Sequence, residues 1–179
     1  MAEVKPFTPA KLIVGIISAR DQAVERTEKA LTTAYGQVDL RSPALPFDQT
    51  DYYEKDMGKG LRRFFLSFSG LVPPDSLPGI KTWSNSLEAE ISHELAGAGR
   101  VVNIDPGILT GSALIMATAK NFAHRIPLNQ GIYGHLELLF SKNAVKLLPW
   151  TYPDFQREAC QRFFLEVRQV YLRQLRERA

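Results

Sequence analysis

Between positions 120 and 125 the chain reads Lys-Asn-Phe-Ala-His-Arg, two permanent cations and an imidazole within six residues. Arg125 offers phosphate or carboxylate a bidentate fork, Lys120 a point charge, and His124 a proton near neutral pH. On a helix Lys120 and His124 share a face, and in a turn all three can converge on one anion. The same residues also fit a structural role, His124 capping a strand start and Arg125 pairing with an acid such as Asp105. Upstream, Asn103-Ile-Asp105-Pro-Gly107 sets Asn103 and Asp105 on one face of a strand end. Ligand groups gather at strand ends in α/β sheets. Asp105 can there hold Mg²⁺, orient His124 or act as a base. Its structural alternative is an Asx-turn, since Asp-Pro-Gly is strong turn chemistry.

Three further stretches carry polar chemistry. Phe47-Asp48-Gln-Thr50-Asp51-Tyr52-Tyr53 can wall a pocket, with Tyr52 or Tyr53 donating to a ligand. It also fits a helix cap formed by Asp48 or Thr50, the preferred reading for those two. Tyr133, His135 and Glu137 alternate onto one strand face that is either solvated or lines a cleft, and solvation is the default expectation. Pro149-Trp-Thr-Tyr-Pro-Asp154 reads as an aromatic helix start packed on the core, the preferred reading, or as aromatic rings stacked on a ligand. No phosphate-binding loop, dinucleotide glycine motif or nucleophile elbow occurs. The single cysteine, Cys160, excludes the usual thiolate zinc site and falls on a buried helical stripe.

These groups depend on the elements that carry them. Lys11–Ser18 is the continuous apolar run of a strand buried on both faces. A helix capped at Ser18 or Asp21 comes next, with Ala23, Val24, Thr27, Ala30, Leu31 and Ala34 inward, and ends at Gly36. Val38 and Leu40 mark a second strand, and Pro43 and Pro46 make its continuation irregular. Residues 48–58 read as a loop with a turn or two of helix. Arg62–Val72 is a third strand, Phe64, Leu66 and Phe68 opposite Phe65. Ser76 caps a helix with the stripe Ile80, Trp83, Leu87, Ile91 and Leu95, closed by Gly97. Arg100–Asp105 is a fourth strand ended by Pro106-Gly107. That order, βαββαβ, predicts an α+β fold with a ferredoxin-like core over about 11–107. Residues 108–119 are apolar, and their periodicity fits helix and strand alike. Asn129-Gln-Gly131 joins two strands in a hairpin, and Val145–Leu148 adds another. Pro153 opens a final amphipathic helix through Cys160, Phe163, Phe164, Val167 and Tyr171. The 108–179 extension enlarges the same sheet, giving one domain over 1–179.

The chain has 179 residues, 45% hydrophobic and 23% charged, which excludes a disordered or low-complexity class. The longest uncharged run, Pro106–Ala119, falls short of the ~20 residues that span a bilayer, and no signal core opens the chain. A cytoplasmic protein with no membrane partner is expected. The formal net charge is +3. Its excess lies wholly in residues 157–179, with six Arg against three Glu. Such a stripe fits a solvated helix end better than a nucleic-acid footprint. The leading expectation is a small-molecule site, binding or enzymatic, for a nucleotide or phosphorylated anion. In it Lys120 and Arg125 hold the anion, His124 moves a proton, and Asp105 orients His124 or binds Mg²⁺. The rivals are RNA binding, faintly suggested by Phe65-Leu-Ser-Phe68 on the third strand, and assembly through the last helix.

Five motifs, in order, resemble a prokaryotic family of domains of unknown function, numbered 4416. They are Phe-Asp-x-Thr-x-Tyr-Tyr (47–53), Asn-x-Asp-Pro-Gly (103–107), Lys-x-x-x-His-Arg-Ile (120–126), Gly-Ile-Tyr (131–133) and Pro-Trp-Thr-Tyr-Pro-Asp (149–154). The resemblance supplies no reaction, although some members carry a GTP-binding label that no phosphate loop here supports. It implies Asp48, Asp105, Lys120, His124 and Arg125 as site residues. Pro127 stands where the family pattern has an aromatic and His135 where it has an acid, so the resemblance gives His135 no catalytic role.

Overall fold

The computed structural model describes residues 3–50, 52–96 and 99–178; the motif position Asp51 and the expected helix stop Gly97 lie outside them. The first apolar run forms β1 (Ala10–Ser18), buried at every residue. After it come α1 (Asp21–Tyr35), β2 (Val38–Arg41), β3 (Leu45–Pro46), a single helical turn α2 (Glu54–Met57) and β4 (Arg62–Val72). The remainder comprises α3 (Leu77–Ala96), β5 (Asn103–Leu109), β6 (Ala113–Thr118), β7 (Ile126–Pro127), β8 (Tyr133–Phe140), β9 (Val145–Leu147) and α4 (Glu158–Arg178). The fold is α+β. Among the described residues, one antiparallel sheet of nine strands runs β2-β4-β1-β5-β6-β8-β7, with β3 on β4 and β9 on β8. The ambiguous stretch 108–119 is strand, completing β5 and forming β6.

Side-chain alternation divides the core into two layers. Leu12, Val14 and Ile16 of β1 with Phe64, Leu66 and Phe68 of β4 face α1 and α3. Ile13 and Phe65 point to the opposite side, beneath Cys160, Phe164, Val167 and Tyr171 of α4. Both stripes expected for α3 and α4 therefore lie against the sheet.

Several local expectations are corrected. No side chain caps α1: Ser18 instead donates to the Val101 carbonyl (2.7 Å) and accepts from the Arg20 amide (3.0 Å). Ser76 donates to the Pro73 carbonyl (2.6 Å) rather than capping a helix. A 3₁₀ turn at Pro153–Gln156 precedes α4. Most consequential, β5 does not stop at Pro106-Gly107 but runs through it. Asp105 faces Gly15 and Pro106 faces Val14 on β1, so no Asx-turn forms.

The reason lies on the other edge of β5. Its pairing with β6 covers only Gly107–Leu109, against Met116, Ile115 and Leu114. Upstream of Gly107 the two strands part. The open edge is closed at Ile104 by α3: the Ile104 amide donates to Glu88 Oε1 (2.7 Å), and Lys81 Nζ donates to the Ile104 carbonyl (2.8 Å). Pro106, two residues on, turns its nitrogen to this same edge, where no donor is needed. At the point of parting the strands approach closely. A Cβ on residue 107 would lie 2.8 Å from the Ile115 carbonyl oxygen. Gly107→Ala is expected to cost roughly 1–3 kcal/mol of unfolding free energy through overpacking, measured by urea denaturation.

Candidate functional site

Where β5 and β6 part, a cleft of about 500 Å³ opens. One wall is the open half of β5 with Asn103 and Asp105. A second is the end of β6 running into Lys120. Phe47, Gln49, Thr50, Tyr52 and Tyr53, and the 152–155 segment, supply the others.

The floor is a charge network that composition alone could not show. Arg63 on β4 follows the alternation that buries Phe65, and its side chain is 6% exposed. A Cβ on residue 15 would lie 2.8 Å from its guanidinium, so Gly15 on β1 leaves the space it occupies. Arg63 Nε stands 3.1 Å from Asp154, itself buried, and Nη1 donates to Asp105 at 3.4 Å. Its guanidinium also lies over the Phe47, Phe65 and Phe155 rings. Asp105 accepts from Lys81 (3.3 Å) and from the Asn103 amide as well. Burial opposes its charge, but Lys81, Arg63 and the Asn103 hydrogen bond outweigh burial and hold the carboxyl below its ordinary range. Arg100 donates to Glu88 (2.6 Å) and to the Asn103 side chain. Burial pushes the Glu88 carboxyl up despite Lys81 and Arg100.

Lys120, at the rim, differs from these cations. Among the described residues it has no carboxylate partner, and its ammonium lies 3.9 Å from the centre of the Tyr52 ring. A hydrogen bond and the charge from Lys120 lower the Tyr52 phenol. Tyr53 packs on Phe47 and edge-on to Tyr52, and burial raises its phenol.

Behind the rim the β8 face expected to be solvated is buried: the side chains of His135 and Glu137 are 1% and 0% exposed. The 149–156 segment covers that face. Trp150 Nε1 donates to the Leu136 carbonyl (2.8 Å), Thr151 Oγ1 to the Glu137 carbonyl (2.6 Å), and the Tyr152 amide to Glu137 Oε1 (2.7 Å). His135 Nε2 stands 2.9 Å from Glu137 Oε2. Arg125 Nε donates to His135 Nδ1 (3.2 Å), which leaves the imidazole proton on Nε2 facing the carboxylate. Burial raises the Glu137 carboxyl, with His135 opposing. His124 stacks on Trp150 (4.8 Å, 8°), and burial, His135 and Arg125 lower its imidazole.

Asp105, Lys120, Tyr52 and Tyr53 thus meet at the cleft. Arg125 and His124 stand behind it, and neither contacts Asp105. Asp48 turns outward and pairs with Arg157. Neither Asp48 nor Thr50 caps α2, whose start has no side-chain cap; Thr50 Oγ1 accepts from the Tyr52 amide instead (3.1 Å). The surroundings of Asp105 are cationic, and no group of three His, Cys, Asp or Glu among the described residues could hold a metal. The residues present do not fit Mg²⁺ there. Sequence reasoning missed Arg63, Lys81, Glu88, Glu137 and Asp154. A signal existed on α3, where Lys81, Ser84 and Glu88 recur at helical spacing beside the apolar stripe, and on β4, where Arg63 shares parity with Phe65.

Fold and site together define an α+β protein with a cation-rich cleft at a split in an antiparallel sheet. The chain belongs to the family described as Domain of unknown function (DUF4416), whose model matches residues 8–171, nearly its whole length. No curated protein and no solved structure matches it.

The buried network has two measurable consequences. Asp154→Ala, which removes one partner of a buried ion pair, should lower stability by about 3 kcal/mol in chemical denaturation. Asp105, with its folded pKa depressed, contributes stability above about pH 4 that is lost as pH falls through the lower folded value. The stability gap between wild type and Asp105→Asn should accordingly narrow from pH 7 to pH 3.

Proposed function

We propose that the cleft binds a small organic anion, of the size of a nucleotide or phosphorylated metabolite. The observation that carries this reading is the charge on its lining. Among the described residues, four cations, Arg63, Lys81, Arg100 and Lys120, stand against two carboxylates, Asp105 and Asp154. Three of the cations are engaged by Asp105, Asp154 and Glu88, and Lys120 is the one without a carboxylate partner among the described residues. The volume lies within the range of small-molecule sites, and Tyr52, Tyr53, Tyr152 and Phe155 give flat walls to an organic moiety. Asp105 serves here as a fixed counter-ion holding Arg63 and Lys81, rather than as a partner of His124. The reading is one of binding and does not require turnover.

We also read β1, α1, β2, β4, α3 and β5 as a ferredoxin-like core. The order β2-β4-β1-β5, with every pair antiparallel and both helices on one face, supports it. Continuity of one sheet through β6–β9 supports a single domain. The rival readings find less support. Phe65 and Phe68 are fully buried, leaving no exposed aromatic platform on β4 for RNA bases. The apolar face of α4 is already covered by the sheet.

Thermal denaturation with a panel of nucleoside mono-, di- and triphosphates tests the reading. A ligand at 100 times its Kd should stabilise the wild type by about 2.7 kcal/mol, roughly 5–10 °C for a chain of this size. Lys120→Ala should lose that shift while the unliganded Tm moves by no more than about 2 °C. A panel without any shift, or a Lys120→Ala protein that binds like wild type, overturns it.

A further inference from the structure

Arg125 makes three donations that together define one end of the cleft. Nη1 donates to the Lys120 carbonyl at 2.7 Å, Nη2 to the Tyr152 hydroxyl at 2.6 Å, and Nε to His135 Nδ1 at 3.2 Å. One planar guanidinium thereby fixes the backbone of Lys120 relative to the hydroxyl of Tyr152. Tyr152 is held at three more points. Glu137 Oε1 accepts from its amide at 2.7 Å, its ring lies parallel to His135 (4.8 Å, 4°), and Pro153 is its chain neighbour. His135 is in turn oriented by Glu137 and Arg125. A half-exposed tyrosine on a cleft rim ordinarily has freedom in χ1; this one has almost none.

The hydroxyl's chemistry is equally constrained. Arg125 supplies a proton to its oxygen, so the phenolic proton points elsewhere, and among the described residues it has no acceptor. Burial keeps this phenol protonated, outweighing the opposing charge of Arg125. A phenol that accepts from a guanidinium is polarised and donates more strongly in its own right. Lys120, whose backbone carbonyl the same guanidinium holds, offers an ammonium that has no carboxylate partner among the described residues.

We propose that the Tyr152 hydroxyl and the Lys120 ammonium jointly hold one oxyanion of the ligand, a phosphate or carboxylate group. Arg125 is the positioning residue that fixes the Tyr152 hydroxyl relative to the backbone from which the Lys120 side chain reaches. The inference rests on the reading of the cleft as an anion site and names the two groups that touch the charge. It moves Arg125 from an anion contact to a support, and His135 and Glu137 with it.

Isothermal titration of the full chain with phenyl phosphate, benzoate and inorganic phosphate tests it. Binding of phenyl phosphate alone assigns a phosphate ligand, and binding of benzoate alone a carboxylate; either supports the inference if two variants weaken it. Tyr152→Phe keeps the ring stacked on His135 and removes only the donor. It should weaken binding about 10- to 100-fold, the worth of one hydrogen bond to a charged group, with the unliganded Tm little changed. Arg125→Lys, which keeps the charge but loses the fork, should weaken binding comparably. Should Tyr152→Phe not fold, 3-fluorotyrosine at position 152, a more acidic phenol and stronger donor, must tighten binding. Unchanged affinity in Tyr152→Phe or the fluorotyrosine protein, with binding lost in Lys120→Ala, overturns the inference and leaves the anion site standing. A wild type that binds none of the three probes and no nucleotide overturns both.

Discussion

The parting of β5 from β6 at Gly107 and Met116 is the constraint on which the site depends. Two strands that separate inside a sheet expose backbone donors and acceptors, and each left unsatisfied costs about as much as a lost hydrogen bond. Here the exposed pair at Ile104 is taken by Glu88 and Lys81 of α3, side chains standing in for the missing strand. Pro106 needs no partner, and Gly107 lets the strands touch just before they diverge. The cleft is therefore a property of the sheet's register, secured by a helix, rather than a gap between loosely packed loops.

That solution places ionised side chains in the interior, and they require one another. Lys81 satisfies Ile104, Asp105 balances Lys81 and Arg63, and Asp154 balances Arg63 from the 3₁₀ turn that precedes α4. Each link comes from a different segment of the chain. The network thus ties the βαββαβ half to the extension beyond it, and the buried ions hold the two walls of the cleft in fixed relation. Lys120 stands outside this mutual neutralisation, which is why a rim lysine on a short connecting segment becomes the charge that a ligand would meet.

The strands and helices were largely legible because apolar periodicity reports directly on which faces are buried. Phe64, Leu66 and Phe68 against Phe65 is such a case, as is the stripe Cys160, Phe163, Phe164, Val167 and Tyr171. The strand end at Asp105 was not legible, since Asp-Pro-Gly normally signals a turn. Only the absent partner on one edge, a tertiary fact, makes Pro106 acceptable within β5. The face of His135 and Glu137 was misjudged for a related reason. Polar alternation ordinarily marks a solvated face, but here Trp150, Thr151 and Tyr152 fold back over β8 and cap it with hydrogen bonds. Asp105, Lys120, Tyr52 and Tyr53 were identified as site residues by chemical type and do converge. Arg63 and Lys81 sit in no motif, and only their spacing on β4 and α3 marks them.

The buried Glu137–His135 pair is the least economical feature of the fold, because an apolar pair of similar volume would cost less to bury. Its geometry gives a reason for its presence. Glu137 holds the amide of Tyr152, His135 supports the ring, and Arg125 joins the imidazole to the hydroxyl. The pair thus meets the amide and ring of Tyr152 and the arginine that clamps its hydroxyl, with His124 Nε2 also 3.2 Å from His135 Nδ1. A leucine at 135 could fill the space but could not receive Arg125, and the guanidinium would lose one of its three anchors. The interior charge and the rim are one construction: buried polarity behind β8 fixes the direction of a hydroxyl that the cleft exposes.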